Sequence, residues 1–216
     1  MFDLFPTHKK IGGAPLNVAL RMKSLGVQSK IISKVGLDEE GQDIIDYLQS
    51  KEMDVSYIQK SKEYRTGVVH VMINEKGNAS YDIAYPSAWD KIEQDEDLLS
   101  LVSNSDVFIF GSLICRDEVS RNSLFTIIHH SNYSVFDVNL RQPYYTKENL
   151  IDLMKASDFI KLNDEELLEL SQMLESPFNS FEQNIRFIAE KTNTKQNTNA
   201  IIFTKWKQSL LLPTPV

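Results

Sequence analysis

The sequence predicts an α/β fold in which a mostly parallel sheet is flanked by helices on both faces and is interrupted by a small β-excursion. Three observations lead there. In the second half, short apolar runs alternate with stretches of helical apolar spacing, the rhythm of parallel strands joined by crossover helices. Between Tyr57 and Tyr85 the period changes to two and turns back on itself, as a hairpin does. The composition, 42% hydrophobic and 25% charged over 216 residues, is that of a chain able to bury a core.

Each element follows from local chemistry. Val18, Ala19, Met22 and Leu25 recur at helical spacing, with Pro15 suited to a first turn and Gly26 to the position after the last. Lys30 to Ser33 reads as a strand ending before Val35-Gly36, and Glu39 to Lys51 as a helix through Ile44, Ile45 and Leu48. The alternation from Gly67 to Ile73 turns at Glu75 to Asn78, where Gly77 accepts a positive φ, and returns from Ser80 to Tyr85. Helical Asp95–Ser103, Glu118–His130 and Lys147–Ala156 lead to strands at Asp106–Phe110, Ser134–Val138 and Asp158–Leu162. A helix over Phe181–Lys191, a polar loop to Asn199 and a strand at Ala200–Phe203 complete the pattern.

Several classes of function are excluded. No apolar run approaches the ~20 residues that span a bilayer, and Met1 is followed by Phe2-Asp3-Leu4 with no basic region ahead of an apolar stretch. The lone Cys115 forms no internal disulfide, so the expected compartment is the cytoplasm. A net charge of −7 opposes general affinity for nucleic acid while leaving room for a small anionic ligand at a local positive site. His129 and His130 are neighbours on different helix faces, which disfavours a shared metal. No serine lies in a nucleophile-elbow pattern, and the carboxylate run Glu93 to Asp97 reads as a solvated helix start. All eight glycines lie at or before Gly111, so no glycine-rich phosphate loop occupies the second half.

Ligands of open parallel sheets bind beyond the carboxyl ends of the strands. Gly111 and Ser112, Asn139 and Arg141, and Asn163 and Glu166 follow three predicted strands. A guanidinium fork and an amide can hold hydroxyls or phosphate oxygens, or they can cap a loop. Asn163 before Asp164-Glu165-Glu166 also suits a helix N-cap. Gly12-Gly13 before a helix bearing Asn17 allows close approach of backbone to a ligand, or makes a plain turn.

Taken together, Asp3 in FDLFP, GGAPLNVA from Gly12, VGLDEEG from Val35, RTGVV from Arg65, AWD from Ala88, DVNLRQPYY from Asp137 and KLNDEE from Lys161 resemble the ribokinase/PfkB family of sugar kinases, and most closely its fructokinase branch. The resemblance implies one partial ribokinase-like domain over residues 1–216 with lid strands at about 11–15 and 55–86. It implies Asp3, Gly12, Gly13, Asn17, Asn139 and Arg141 as sugar-binding residues, with Arg141 also facing the transferred phosphate. Asn163, Glu166 and Thr204 would serve the nucleotide, Glu166 acting indirectly on Mg2+, and ATP and Mg2+ are the implied cofactors. A homodimer through the lid is a further implication, and Val69, Val71 and Ile73 on one strand face suit it, or equally burial over the chain's own sugar site.

The chain departs from the family at both ends. Its GAGD segment, which supplies an anion-binding helix N-terminus and a general base, has no counterpart here. A 216-residue chain incomplete at both ends, truncated and inactive alone, is therefore expected. The rival readings are a noncatalytic module binding sugar or protein, and a kinase for ribose, a nucleoside or a keto-sugar acid.

Overall fold

The computed structural model describes residues 1–5, 7–73, 79–192, 200–205 and 208–212, with side chains described up to residue 192 apart from residues 6 and 73–80. Two compact units divide it, Met1–Glu93 and Gln94–Val216.

In the first unit, strands β1 (Phe2–Leu4), β2 (Lys9–Ile11), β5 (Val68–Ile73) and β6 (Ala79–Ile83) form a sheet in the order β2-β1-β5-β6. β1 runs parallel to β5 and antiparallel to β2, and the β5–β6 hairpin pairs Val69 with Ile83 and Val71 with Tyr81. β3 (Ser33–Gly36) and β4 (Ile58–Ser61) make a separate parallel pair. Helices α1 (Ala14–Ser24) and α2 (Glu39–Ser50) contribute Leu16, Ala19, Ile44, Ile45 and Leu48 to a core shared with Phe2, Ile31 and Val35.

In the second unit the strand order is β11-β10-β9-β8-β7. β7 (Phe108–Gly111), β8 (Ser134–Asp137), β9 (Phe159–Asn163) and β10 (Ala200–Lys205) are parallel, and β11 (Gln208–Leu212) returns antiparallel. Helix α3 (Glu96–Ser103) precedes the strands, and α4 (Glu118–His129), α5 (Lys147–Lys155), α6 (Asp164–Met173) and α7 (Phe181–Lys191) lie between them. Phe136, Leu153, Met154, Ile160, Leu162 and Leu167 are wholly buried in this core, each worth roughly 1.5–3 kcal/mol of transfer free energy. Phe136 stacks on Phe110 at 5.5 Å between ring centroids.

Helix starts follow capping chemistry. Asp38, Asp95, Asp117, Thr146, Asn163 and Ser180 each accept a backbone N–H of the following first turn. α1 is the exception, with Gly13 at its N-cap and no side-chain cap. Among the described residues, no helix is long and apolar enough to cross a membrane.

The predicted rhythm holds, with corrections at its edges. The strand expected at Lys30–Ser33 lies at Ser33–Gly36, because pairing starts where Ser33 meets Ile58; the apolar Ile31 reports burial and not strand pairing. The lid boundaries also move. Of residues 11–15 only Ile11 is in a strand, since α1 begins at Ala14, while β4 belongs with β3 and not with the hairpin sheet. β1, β2 and β11 are too short or too close to a turn to announce themselves by alternation. The predicted turn at Glu75–Asn78 and the polar loop from Asn193 to Asn199 lie outside the described residues.

Candidate functional site

The second unit gathers three strand ends. β8 stops at Asp137, and the Val138 amide still bonds to the Lys161 carbonyl of β9 at 3.0 Å. Asn139 then takes a left-handed φ of 38°, which turns the chain off the sheet. Its carbonyl accepts the Ser112 hydroxyl at 3.4 Å, joining the end of β7 to the same loop. Leu140 is buried, whereas Arg141 is exposed and donates from Nη1 to the Leu140 carbonyl at 2.7 Å. The Tyr144 amide bonds to the Arg141 carbonyl at 2.8 Å and closes the turn.

At the end of β9, Asn163 and Glu166 form a reciprocal capping box. Asn163 Oδ1 accepts the Glu166 amide at 2.9 Å, and Glu166 Oε2 accepts the Asn163 amide at 2.8 Å. The Leu140 amide faces the same carboxylate closely enough to favour its charged form, which sets α6 against the Arg141 loop. Lys161 Nζ donates to Asp137 Oδ1 at 2.8 Å across paired positions of β8 and β9. Burial pushes the Glu166 carboxyl above its ordinary value; the Asn163 and Leu140 amides and Lys161 pull it down, Asp137 pushes it up, and the net direction is upward.

In the first unit, Asp3 lies mid-strand in β1 and its carboxylate stands directly against Gly12, where any Cβ would collide with Oδ2. Gly13 has a φ of 114°, a conformation that favours glycine, and the Asn17 amide bonds back to its carbonyl at 3.0 Å. The Asn17 side chain is exposed on the first turn of α1. Asp3, Gly12, Gly13 and Asn17 are thus assembled in one unit, and Asn139, Arg141, Asn163 and Glu166 in the other. Thr204 pairs with Asn163 through the β9–β10 ladder, and its side chain lies outside the described residues.

Other candidates fall away. Burial pushes the Cys115 thiol up to about 12, so it is protonated and unreactive at neutral pH. Among the described residues no group of three or more His, Cys, Asp or Glu stands together as a metal ligand set. Sequence reasoning missed the Lys161–Asp137 bridge and a second carboxylate on α6, Glu169, which accepts Gln142 Nε2 at 2.7 Å and the Tyr145 hydroxyl. Spacing could have exposed the latter, since Glu166 and Glu169 are three residues apart on one helix face.

A parallel sheet whose strand ends carry an arginine, amides and a buried carboxylate defines an α/β protein with polar groups gathered where open parallel sheets commonly bind ligands. The profile of the pfkB family of carbohydrate kinases matches residues 5–212, and the chain belongs to that family. It is 33% identical over 177 residues to a putative sugar kinase, PH1459, of Pyrococcus horikoshii, covering 77% of this chain and 56% of the relative. It is 30% identical over 164 residues to a fructokinase of Escherichia coli, covering 72% of this chain and 53% of the relative. The chain spans about half the length of these curated relatives. The crystal structure of a fructokinase from Xylella fastidiosa with bound ATP superposes with a TM-score of 0.81 at 18% identity, over 99% of this chain and 71% of that one. The ribokinase-like fold expected from the motifs is therefore present.

Proposed function

We propose that this chain carries the sugar-binding and phosphate-facing part of an ATP-dependent sugar kinase, with D-fructose as the acceptor and fructose 6-phosphate as the product. The observation that carries the reading is the loop after β8, where left-handed Asn139 and exposed Arg141 stand beside the capping box of α6. A guanidinium there suits the oxygens of a phosphoryl group in transfer, a reaction that rests on positioning and electrostatics. Asp3, Gly12, Gly13 and Asn17 supply a carboxylate, closely approachable backbone and an amide for sugar hydroxyls.

Mg2+ and nucleotide fit this arrangement in a limited way. Glu166, buried and already accepting the Asn163 amide, suits an indirect contact through water, the ion itself being held mainly by phosphates. When bound, Mg2+ neutralises charge on the transferred phosphate. No glycine follows Gly111, so these 216 residues hold no counterpart of the GAGD segment and transfer no phosphate by themselves. That observation favours sugar binding as the activity to look for in the isolated chain. Val69 and Val71 are buried within the single chain, so a homodimer through that face is not part of this reading.

Calorimetric titration of D-fructose, ribose and glucose into the folded chain tests it. Selective binding of fructose is expected. A folded chain that binds none of the three overturns the sugar-site reading, and sugar-dependent ADP release at an ordinary kinase rate overturns the inactivity.

A further inference from the structure

Arg141 is exposed, and its guanidinium donates to the carbonyl of the residue before it. What aims it is therefore the backbone beneath, and that backbone is tethered on both sides by one helix. Upstream, the Leu140 amide faces the Glu166 carboxylate of α6 and favours its charge. Downstream, Gln142 Nε2 donates to Glu169 Oε1 at 2.7 Å, and the Tyr145 hydroxyl donates to the same oxygen. The Tyr144 amide on the Arg141 carbonyl makes the intervening turn rigid, and Tyr145 packs against the core. Hydrogen bonds to an ionised carboxylate are roughly twice as strong as neutral ones.

We propose that Glu169 is a positioning residue, holding the Gln142–Tyr145 turn from α6 so that Arg141 is presented in one direction. Glu169 is the sixth residue of α6, beyond the first turn, so helix capping does not account for it. Glu166 and Glu169 share a face of α6 at i and i+3, and together they grip the loop on either side of the arginine. The functional consequence rests on the reading of Arg141 as the phosphate-facing group.

The test compares the wild-type chain with Glu169→Leu, which removes the acceptor, and Glu169→Gln, which keeps one of similar shape. Hydrogen exchange at the Leu140 and Tyr144 amides reads the loop without any ligand. Glu169→Leu is expected to speed exchange at these two amides about tenfold while β8 and α5 stay as protected as before, with Glu169→Gln recovering most of the protection. In parallel, Glu169→Leu is expected to weaken fructose 6-phosphate binding about tenfold, and Arg141→Ala to weaken it by at least as much. Unchanged exchange at Leu140 and Tyr144 in Glu169→Leu overturns the proposal. So does equal loosening of the loop, β8 and α5, which marks a purely structural residue. If the wild-type chain ignores fructose 6-phosphate, or Arg141→Ala binds it as well as wild type, the reading of Arg141 falls, and the exchange pattern alone decides whether Glu169 holds the loop.

Discussion

Two junctions in this molecule are written in nearly the same letters. Leu37-Asp38-Glu39-Glu40 leads from β3 into α2, and Leu162-Asn163-Asp164-Glu165-Glu166 leads from β9 into α6. Their electrostatics run in opposite directions. Around Asp38, burial pushes the carboxyl up, but the Thr66 hydroxyl at 2.6 Å, the Thr66 amide at 2.8 Å, the Gly41 amide at 2.8 Å and the Arg65 charge outweigh it, and the group sits below its ordinary value. Around Glu166, two amides and Lys161 do not outweigh burial with Asp137 nearby, and the group sits above its ordinary value. The first junction is closed on itself, a lock between the VGLDEEG and RTGVV segments. The second leaves a carboxyl less fully compensated, next to the loop that carries Arg141.

The closed junction should be the more fragile to crowding. A Cβ on Gly41 would strike the Gly36 carbonyl and stand 2.9 Å from Thr66 Oγ1. Neither neighbour is the free end of a flexible side chain. Gly41→Ala is expected to cost roughly 3 kcal/mol, at the upper end of overpacking, measured by urea unfolding with the slope compared to wild type. A loss below half of that means the Asp38–Thr66 lock yields, and the contrast between the junctions weakens.

Removing the caps sharpens the comparison. Asp38→Ala strips the acceptor from the Gly41 and Thr66 amides and the Thr66 hydroxyl, and about 2 kcal/mol of stability is expected to go. Asn163→Ala strips one, the Glu166 amide, while Glu166 still accepts the Asn163 amide, and about 1 kcal/mol is expected. Equal losses in the same denaturation series would show that the extra donors at Asp38 add nothing.

The sequence discloses these junctions unevenly. Asn163 as a cap with carboxylates after it is visible in the letters, because capping is decided within one turn. The parallel strands β7, β8 and β9 are equally visible, since each is a short run dense in apolar residues set between stretches of helical spacing. What reaches across the chain is not. Thr66 closing on Asp38 spans 28 positions, and Lys161 meeting Asp137 spans 24, and no local period encodes either. The placement of β4 beside β3 fails to show for the same reason, as does the grip of Glu169 on Gln142 and Tyr145. The candidate site residues Asp3, Gly12, Gly13, Asn17, Asn139 and Arg141 are singled out through motifs; the physics of spacing alone leaves capping and turn formation as equal explanations for most of them.

The smallest effect separates the junctions most cleanly, because it is a difference of sign. Asp38 has a folded-state value below its unfolded one, near 3.9 in a free chain, so its contribution is present above that pH and is lost as pH falls through the folded value. Glu166 has a folded-state value above its unfolded one, near 4.3 in a free chain, so its contribution is present below that pH and is lost as pH rises through the folded value. Across the acid range, Asp38→Asn should therefore fall further behind wild type in thermal stability as pH rises, and Glu166→Gln should gain on it. The readout is the difference in Tm between each variant and wild type at matched pH, where any constant cost of the amide cancels from the slope. Slopes of the same sign would mean that Glu166 is as well compensated as Asp38, and that the junction beside Arg141 is a second structural lock with no charge held in reserve for a ligand.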